Sequence, residues 1–437
     1  MKYCPVVFNY LYLDNPEGDI YLCPWMIPQK TCIGNLLKSD IETCYNSNFA
    51  NELRESIKDQ SFRFCRNEAC PHLQNNDLED ITLEEYECRE RNTYFPTNIN
   101  MAYDFICNQH CITCRKSVYM PAKNYARQMQ AIHVMIAACL NQAEHISASG
   151  HGDPFASKHM MDVLANIHPQ NPNLRILLET NGVFFDEAHW ERIKHFKDFN
   201  VELVITSNSM DPFVYKYISL GGNFEKLLHN IAFASELRKK GYLKKITHTL
   251  VIQDRNFREI PSFIKKSLND YCFDEVLLRP VYQWGTMDED VYWFKDVLNP
   301  MHPYHEEYLE ILKHPALHDP RVYNFGGETS HEARPFPGSG AEKTAALDQC
   351  IAEKERLIAK LQEELQCCKE QSNHAEEAMN DQERRIRELR ARIDTELWDL
   401  DKRLTDMQNS ISFRIGRAVT CLPRKIRDGR KNYTHKR

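Results

Sequence analysis

Short apolar segments alternate with amphipathic segments between residues 93 and 330. The apolar segments have the length and composition of strands and cover residues 99–106, 145–149, 174–180, 201–206, 246–252 and 275–281. The segments between them carry apolar residues at helical spacing and cover residues 124–140, 157–167, 186–194, 223–240 and 256–269. A strand every ~30 residues, each followed by a helix, is typical of parallel βαβ units. The pattern predicts an α/β fold, a partial (β/α)6 TIM-like barrel.

A small cysteine-rich domain is predicted ahead of the barrel, over residues 1–92. Residues 6–13 and 19–22 have strand-like patterns, and the turn signal Asn15-Pro16-Glu17-Gly18 lies between them. This arrangement predicts a β-hairpin. A helical pattern follows over residues 47–58.

The last hundred or so residues have a different pattern. Residues 331–344 are rich in Gly, Pro, Ser and charge, which predicts a flexible linker. Over residues 345–411, apolar residues recur at spacings of three and four, which predicts a C-terminal α-helical coiled coil and therefore a homo-oligomer or a partner helix. Residues 412–437 mix apolar residues with arginines and can contact an anionic membrane surface or a partner.

Composition and net charge limit the classes of function expected for this chain. The chain has 437 residues and a net charge of -7, with a pI near 6.2, so nucleic acid is not an expected partner. Sixteen cysteines are many for this length, yet the first residues contain no signal-peptide pattern. We therefore expect a cytoplasmic protein with metal-bound thiolates. Its basic tail can contact the inner face of the membrane.

The cysteines at 107, 111 and 114 follow the first predicted barrel strand directly. Their x3 and x2 spacing lets one loop present three thiolates to three irons of a cubane cluster. The remaining iron is then open to a small molecule, as in catalytic metal sites. A zinc knuckle and three buried thiols are the alternatives.

A second group of cysteines lies in the N-terminal segment. A hairpin would bring Cys4 and Cys23 together, and with Cys65 and Cys70 they can enclose one metal or cluster. Cys32, Cys44 and Cys88 are expected to be small buried apolar residues instead, with Cys32 or Cys88 in place of one of the four ligands as the alternative. A hairpin held by zinc is the alternative for this segment.

The three-cysteine loop resembles that of the radical S-adenosylmethionine (SAM) superfamily. The resemblance implies that Cys107, Cys111 and Cys114 hold a [4Fe-4S] cluster that binds SAM and cleaves it to a 5′-deoxyadenosyl radical, with a flavodoxin or ferredoxin as electron donor. Four further segments resemble strand ends of the family. They are Gly152-Asp153-Pro154, Glu179-Thr180-Asn181-Gly182, Asn208, and Tyr215 with Gly221-Gly222-Asn223-Phe224. Gly152, Asp153, Thr180, Asn208 and Thr113 are therefore the expected SAM contacts.

The sequence departs from the family pattern at four positions. His151 replaces the first glycine and Asp153 the glutamate of the family's Gly-Gly-Glu motif, and Asn208 stands where relatives often carry Asp. Thr113 replaces an aromatic residue that packs on adenine in many relatives. These departures affect the amino, ribose and adenine contacts of SAM.

The N-terminal segment resembles a SPASM-type auxiliary cluster domain. The matching features are the Cys4–Gly18–Cys23 spacing, Ile33-Gly34-Asn35-Leu36 and the Cys65/Cys70 pair. The resemblance implies a second [4Fe-4S] cluster, although such modules more often follow the barrel.

The substrate class remains open at this point. The end of the chain resembles tails of glycosyltransferases in surface-polysaccharide gene clusters, which favours a sugar or glycan intermediate. Peptide or protein side chains are the alternative, as for many SPASM relatives. A non-catalytic coiled-coil scaffold is the alternative in which the protein is not an enzyme.

Arg279 can bind a carboxylate or phosphate, or form a salt bridge with Asp274 or Glu275.

Overall fold

A computed structural model describes residues 1–26, 31–67, 70–148, 150–283, 285–326 and 333–337, together with 382, 384, 385, 388 and 389. The chain divides into two units, Met1–Gly338 and Ser339–Arg437. The predicted coiled coil and basic tail lie outside the described residues, apart from those last five, which are helical and exposed.

The first unit alternates strands and helices. Its strands are β1 Lys2–Tyr3, β2 Tyr10–Leu13, β3 Asp19–Tyr21, β4 Gly34–Asn35, β5 Glu79–Asp80, β6 Asn98–Met101, β7 His145–Ala148, β8 Arg175–Thr180, β9 Asn200–Thr206, β10 Lys245–Ile252, β11 Glu275–Pro280 and β12 Val322–Asn324. Its α-helices are α1 Val6–Asn9, α2 Ile41–Tyr45, α3 Asn48–Lys58, α4 Pro71–Gln74, α5 Leu83–Arg89, α6 Tyr125–Gln142, α7 Lys158–Asn166, α8 Glu187–Ile193, α9 Pro212–Ile218, α10 Phe224–Lys239, α11 Ile260–Lys265, α12 Glu289–Lys295 and α13 His305–Leu312.

The strands form one ten-stranded, mostly parallel sheet in the order β12-β11-β10-β9-β8-β7-β6-β2-β3-β4, beside a small β1-β5 pair. Each neighbouring pair from β6 to β12 is parallel. The mixed α/β class and the parallel order of the six predicted strands are therefore confirmed, and β12 extends the series. The carboxyl ends of these strands share one edge, where chemistry is placed in barrels of this kind.

Polar residues fix where several helices begin. Ser47, Ser157, Asp186 and Asn223 precede α3, α7, α8 and α10, and each side chain accepts a hydrogen bond from a backbone N–H of the first turn. One sheet face is apolar and fully buried against the helices, as shown by Ile99, Ile146, Ile176, Val201 and Ile246.

The N-terminal segment continues the barrel sheet. β2 pairs in parallel with β6, and β2, β3 and β4 form an antiparallel extension of that edge. The hairpin is confirmed, but the prediction of one strand over residues 6–13 is wrong in its first half, because Val6–Asn9 is helical. Pro5 stands at the N-cap of this turn, with a φ of -71° that already suits a helix.

Residues 302–323 contain α13 and the first two residues of β12, which no sequence pattern predicted. Within the described residues, no helix has the length and apolar character needed to cross a bilayer.

Candidate active site

The cluster loop, residues 107–114, begins six residues after β6 ends. A strand over residues 99–106 was predicted, but β6 stops at Met101, since the side chain of Asp104 takes over the hydrogen bonding. Asp104 is buried and accepts bonds from the Tyr125 hydroxyl at 2.6 Å, the Ile106 N–H at 3.0 Å and the Ser157 hydroxyl. The loop is therefore tied to the starts of α6 and α7.

A second set of contacts holds the middle of the cluster loop. The N–H groups of His110 and Ile112 donate to the carbonyls of Leu220 and Ile218, each at 3.0 Å. The buried Gln109 amide donates to the Tyr215 hydroxyl at 2.9 Å. The end of α9 therefore forms the support on which the loop lies.

The glycine pair at the end of α9 makes this close support possible. A Cβ on Gly222 would come within 2.4 Å of the Tyr215 hydroxyl oxygen and 2.9 Å of Gln109 Nε2. Gly221 has a φ of +83°, and its Cβ would lie 3.0 Å from the Asn108 carbonyl oxygen. The Gly221-Gly222 motif thus shapes the loop that carries the cysteines.

The three thiols of the loop are unequal in exposure. Cys107 and Cys111 are half-buried, and Cys114 is exposed. Burial, followed by the nearby Asp153 carboxylate, raises the pKa of Cys107 to about 11, and burial with the neighbouring Cys114 and Cys107 thiols raises the pKa of Cys111 to about 12. Thiolates crowded in this way are unfavourable unless a cation neutralises them, which is what a metal group does.

A glycine-rich turn after β7 lies directly against the base of the loop. A Cβ on Gly152 would meet the carbonyl oxygens of Asp104 and Ile106 at 2.3 and 2.6 Å. The N–H of Asp153 donates to the Ile106 carbonyl at 2.8 Å. Gly152 is required here because no side chain fits between the two segments.

Asp153 has partners within the chain for all its lone pairs. One carboxylate oxygen accepts from the Thr180 hydroxyl and the Asn181 N–H, each at 2.8 Å, and the other accepts from the N–H groups of Phe155 and Ala156 at 3.0 and 3.2 Å. A carboxylate has about four acceptor sites. The geometry therefore assigns Asp153 to joining the ends of β7 and β8, and a direct bond to a SAM ammonium group stays a prediction.

The remaining expected SAM contacts lie at or near the same edge. Thr180 ends β8 and Asn181 follows it, and the Asn181 amide donates to the Cys107 sulfur at 3.7 Å and to Asn108 Oδ1 at 2.9 Å. Asn208 follows β9 with a φ of +62°, and its side chain and backbone bond to Val251 and Asn256. Thr113 is buried within the cluster loop.

The second predicted group of cysteines also comes together. Cys4, Cys23, Cys65 and Cys70 line one cavity of about 330 Å³, part of which is open to solvent. We call this the four-cysteine cavity. Its other lining residues are Val6, Val7, Trp25, Met26 and His72.

The thiols of the four-cysteine cavity influence one another. Burial raises the pKa of Cys23 and of Cys65 to about 12, and the nearby thiols of the set add to the effect. Burial also raises the pKa of Cys4. Among the described residues, however, no group of three or more His, Cys, Asp or Glu side chains forms a ready-made site for a single metal ion. Ligation by this set stays a prediction.

The other N-terminal cysteines do not line this cavity. Cys44 is buried and packs on Gly34, where an added Cβ would come within 2.5 Å of its sulfur. Cys32 and Cys88 are exposed, so the expectation that they are buried is wrong for both. A cysteine pattern alone did not indicate which of the three faces solvent.

Residues 105–266 match the family model for the Radical SAM superfamily. The matched segment starts just before the cluster loop and includes β7 to β10. Residues 105–266 therefore belong to the radical SAM superfamily. Its three-cysteine loop, its Gly152-Asp153 turn and its Gly221-Gly222 pair all fall inside the radical SAM segment.

A GTP 3',8-cyclase from Limosilactobacillus fermentum is 26% identical over 163 residues, which cover 36% of this chain and 46% of that enzyme. The chain thus matches about half the length of this curated relative. Streptococcus suis SuiB bound to S-adenosylmethionine has 13% identity and a TM-score of 0.37, covering 66% of this chain and 63% of SuiB. Methylornithine synthase (PylB) has 14% identity and a TM-score of 0.33, covering 49% and 60%. Scores this low support no inference about this radical SAM protein.

Sequence reasoning missed several residues that position the radical SAM site. Asp104, Gln109 and Tyr125 were not assigned a role, although each bonds to the cluster loop or its base. Asp14 also escaped notice, and it lies 3.1 Å from Nε2 of His151, beside the Gly152 turn. A charged residue inside the apolar segment 99–106 was the one available signal for Asp104.

Proposed function

We propose that this protein reductively cleaves SAM and uses the resulting 5′-deoxyadenosyl radical to abstract hydrogen from a substrate. The observation that carries the proposal is the cluster loop, whose three thiols lie at the carboxyl edge of a parallel sheet and against a glycine turn. When bound, a [4Fe-4S] cluster supplies the electron that cleaves the sulfonium and an open iron that binds the amino and carboxylate groups of SAM.

The chain's own residues have separable tasks in this proposal. Cys107, Cys111 and Cys114 hold the cluster, and the raised pKa values of the Cys107 and Cys111 thiols mean that binding the metal group releases protons. Gly152 brings the backbone close to the amino end of SAM, while Asp153 fixes that turn to the end of β8. In this proposal Asn208 contacts the ribose, the backbone of Thr113 meets the adenine edge, and Thr180 lines the SAM site.

We assign a second, auxiliary [4Fe-4S] cluster to the four-cysteine cavity. The support is the convergence of four thiols from distant parts of the chain on one space, because Cys4 and Cys70 are far apart in sequence. The cluster would accept or relay an electron, or bind substrate. A zinc ion in the cavity is the competing assignment, and metal analysis separates the two.

The proposed substrate is a sugar or glycan intermediate of surface-polysaccharide synthesis. The support is the resemblance of the C-terminal tail, which lies outside the described residues. A peptide or protein side chain is the second candidate, and the neighbouring genes separate the two, since glycosyltransferases favour the first and a short precursor peptide the second. A non-catalytic scaffold is disfavoured because it has no use for an open iron.

Electron paramagnetic resonance of the reduced, iron-loaded protein tests the proposal. Addition of SAM should shift the g-values of one cluster, because SAM binds the open iron. The shift should disappear in Cys111→Ala and persist in Cys139→Ala, a matched control for a buried cysteine on α6. An unchanged spectrum with SAM, in protein that holds its iron, would overturn the proposal.

A further inference from the structure

The parallel sheet has one face packed against the helices and one face turned away from them. Side chains alternate between faces along a strand. His248 is on the helix-packed face, since its ring contacts Phe263 and Phe273, so Thr247, Thr249 and Val251 occupy the other face. We call this second face the inner face.

The inner face carries an arginine whose charge none of the described residues neutralises. Val276, Leu278 and Pro280 are buried on the helix side of β11, which puts Arg279 on the inner face, opposite Val251. Arg279 is exposed and forms no salt bridge or hydrogen bond with the described residues.

The expected structural partners of Arg279 are bound elsewhere. Asp274 pairs with Arg238 at 2.8 Å, and Glu275 pairs with Lys245 at 2.6 Å. The salt-bridge reading of Arg279 is therefore wrong. An unpaired guanidinium at a strand's carboxyl end is free to take a bidentate oxyanion.

Two polar side chains of the adjacent strand β10 and the turn after it also lack a hydrogen-bond partner among the described residues. The Thr249 hydroxyl is buried and makes no hydrogen bond in the described part of the chain. Gln253, just after β10, is fully buried, and neither its amide nitrogen nor its amide oxygen has a partner there. Buried polar groups are rarely left unsatisfied without a ligand or water.

Glu179 adds an opposite charge on the same face. It is the last inner-face residue of β8, opposite Val204, and it is half-buried without a hydrogen bond or ion pair among the described residues. It directly precedes Thr180, which bonds to Asp153. The inner face thus offers an acceptor near the cluster loop and a cation further along the sheet.

The strand order separates this group from two of the expected SAM contacts. Gly152 and Thr180 follow or end β7 and β8, whereas Thr249 and Arg279 belong to β10 and β11, on the side away from β6. Asn208 lies between the two sets, because its side chain accepts a hydrogen bond from the Val251 N–H of β10. The position of Arg279 therefore favours an anionic group of the molecule that loses hydrogen over an anionic group of SAM.

We propose that Arg279, with the Thr249 hydroxyl and the Gln253 amide, binds an oxyanion of the substrate, a phosphate or a carboxylate. Glu179 accepts a hydrogen bond from an N–H or O–H group of the same substrate that lies closer to the cluster loop. The inference rests on the proposed radical SAM function and narrows its substrate to molecules with an anionic end. A phosphate fits a sugar phosphate, and a carboxylate fits an amino acid or peptide.

Calorimetric titration of the full-length, iron-loaded protein with SAM present and no reductant tests the anion site. Inorganic pyrophosphate and succinate are the probes, one for each source of the oxyanion. We expect one of them to bind saturably, at least tenfold more weakly to Arg279→Gln and at least threefold more weakly to Thr249→Val. Arg175→Gln is the control for net charge, since Arg175 is exposed at the opposite end of β8.

Three results would overturn the inference. One is saturable binding of neither anion, and another is equal weakening by Arg279→Gln and Arg175→Gln. The third is a tenfold loss of SAM affinity in Arg279→Gln, which would assign Arg279 to the carboxylate of SAM. Failure of SAM cleavage in the unsubstituted protein would overturn the proposed function instead, because the titration requires no turnover.

Discussion

Gly222 lies where any side chain would collide with the support of the cluster loop. Its backbone approaches the Tyr215–Gln109 hydrogen bond so closely that a methyl group would come within 2.4 Å of the hydroxyl oxygen. Contacts below 3.0 Å force a shift in the neighbours. At this scale, the radical SAM site depends on residues that touch neither metal nor SAM.

We expect Gly222→Ala to lower the iron content of the protein at least threefold, because the displaced Gln109 would misplace the cysteines around it. Iron and sulfide analysis after anaerobic reconstitution measures the effect. Gly241→Ala is the control, since Gly241 has a φ of +73° but no atom within 4 Å of an added Cβ. The two variants losing equal iron would contradict this account of Gly222.

Burial of His248 makes the stability of the fold depend on pH. Its ring lies 4.3 and 4.5 Å from the ring centres of Phe263 and Phe273, and its nitrogens bond to the hydroxyls of Ser207 and Ser267. Burial lowers the pKa of His248 from 6.5 to about 3. Below about pH 6.5 the unfolded chain binds a proton that the folded chain does not, so stability falls as the pH falls.

We expect the free energy of unfolding to drop by about 1 kcal/mol more in the unsubstituted protein than in His248→Asn between about pH 7 and about pH 5.5. Urea unfolding at both pH values, followed by circular dichroism, measures the difference. The same loss in both proteins would show that His248 is not the group that titrates.

At the scale of elements, periodicity predicted most of the parallel sheet. The strands at residues 145–149, 174–180, 201–206, 246–252 and 275–281 were placed within a residue or two, and Ser157 and Asn223 begin helices as capping residues should. Errors arose where a side chain replaced backbone pairing, as Asp104 does after β6, and where an apolar run hid a helical turn before β2. The pairing of Asp274 and Glu275 with other cations depends on contacts between strands and helices that no local pattern contains.

Arg54 shows how elements of the N-terminal segment are joined. Its guanidinium donates to the carbonyls of Val7 at 3.1 Å and Tyr45 at 2.9 Å, and it lies over the rings of Tyr45 and Tyr94. Arg54 is 3% exposed. It therefore connects α1, which follows Cys4, to α2 and α3.

We expect Arg54→Met to lower the free energy of unfolding by about 2 to 4 kcal/mol, because two buried carbonyls lose their partners. It should also reduce the metal held by the four-cysteine cavity, since α1 positions Cys4. Urea unfolding and iron analysis measure both effects. Arg63→Met, on an exposed side chain, is the control, and equal losses in the two variants would contradict this role.

For the whole molecule, the continuous sheet has a direct consequence for truncation. β2 covers the edge of β6, so removal of residues 1–92 would expose an unpaired parallel strand and the buried side chains beneath it. We expect a protein that begins at residue 93 to aggregate, whereas one that ends at residue 338 stays folded and soluble. Size-exclusion chromatography of the two truncated proteins measures this, and a soluble, folded protein lacking residues 1–92 would argue for an independent N-terminal domain.

The most direct test of the central claim is the amount of 5′-deoxyadenosine released from SAM by the anaerobically reconstituted, reduced protein, measured together with iron per chain. We expect about eight irons per chain, for two cubane clusters, and SAM cleavage that disappears in the Cys107→Ala, Cys111→Ala, Cys114→Ala protein, which should keep the four irons of the four-cysteine cavity. No 5′-deoxyadenosine from protein that holds its iron would contradict radical SAM chemistry at the cluster loop.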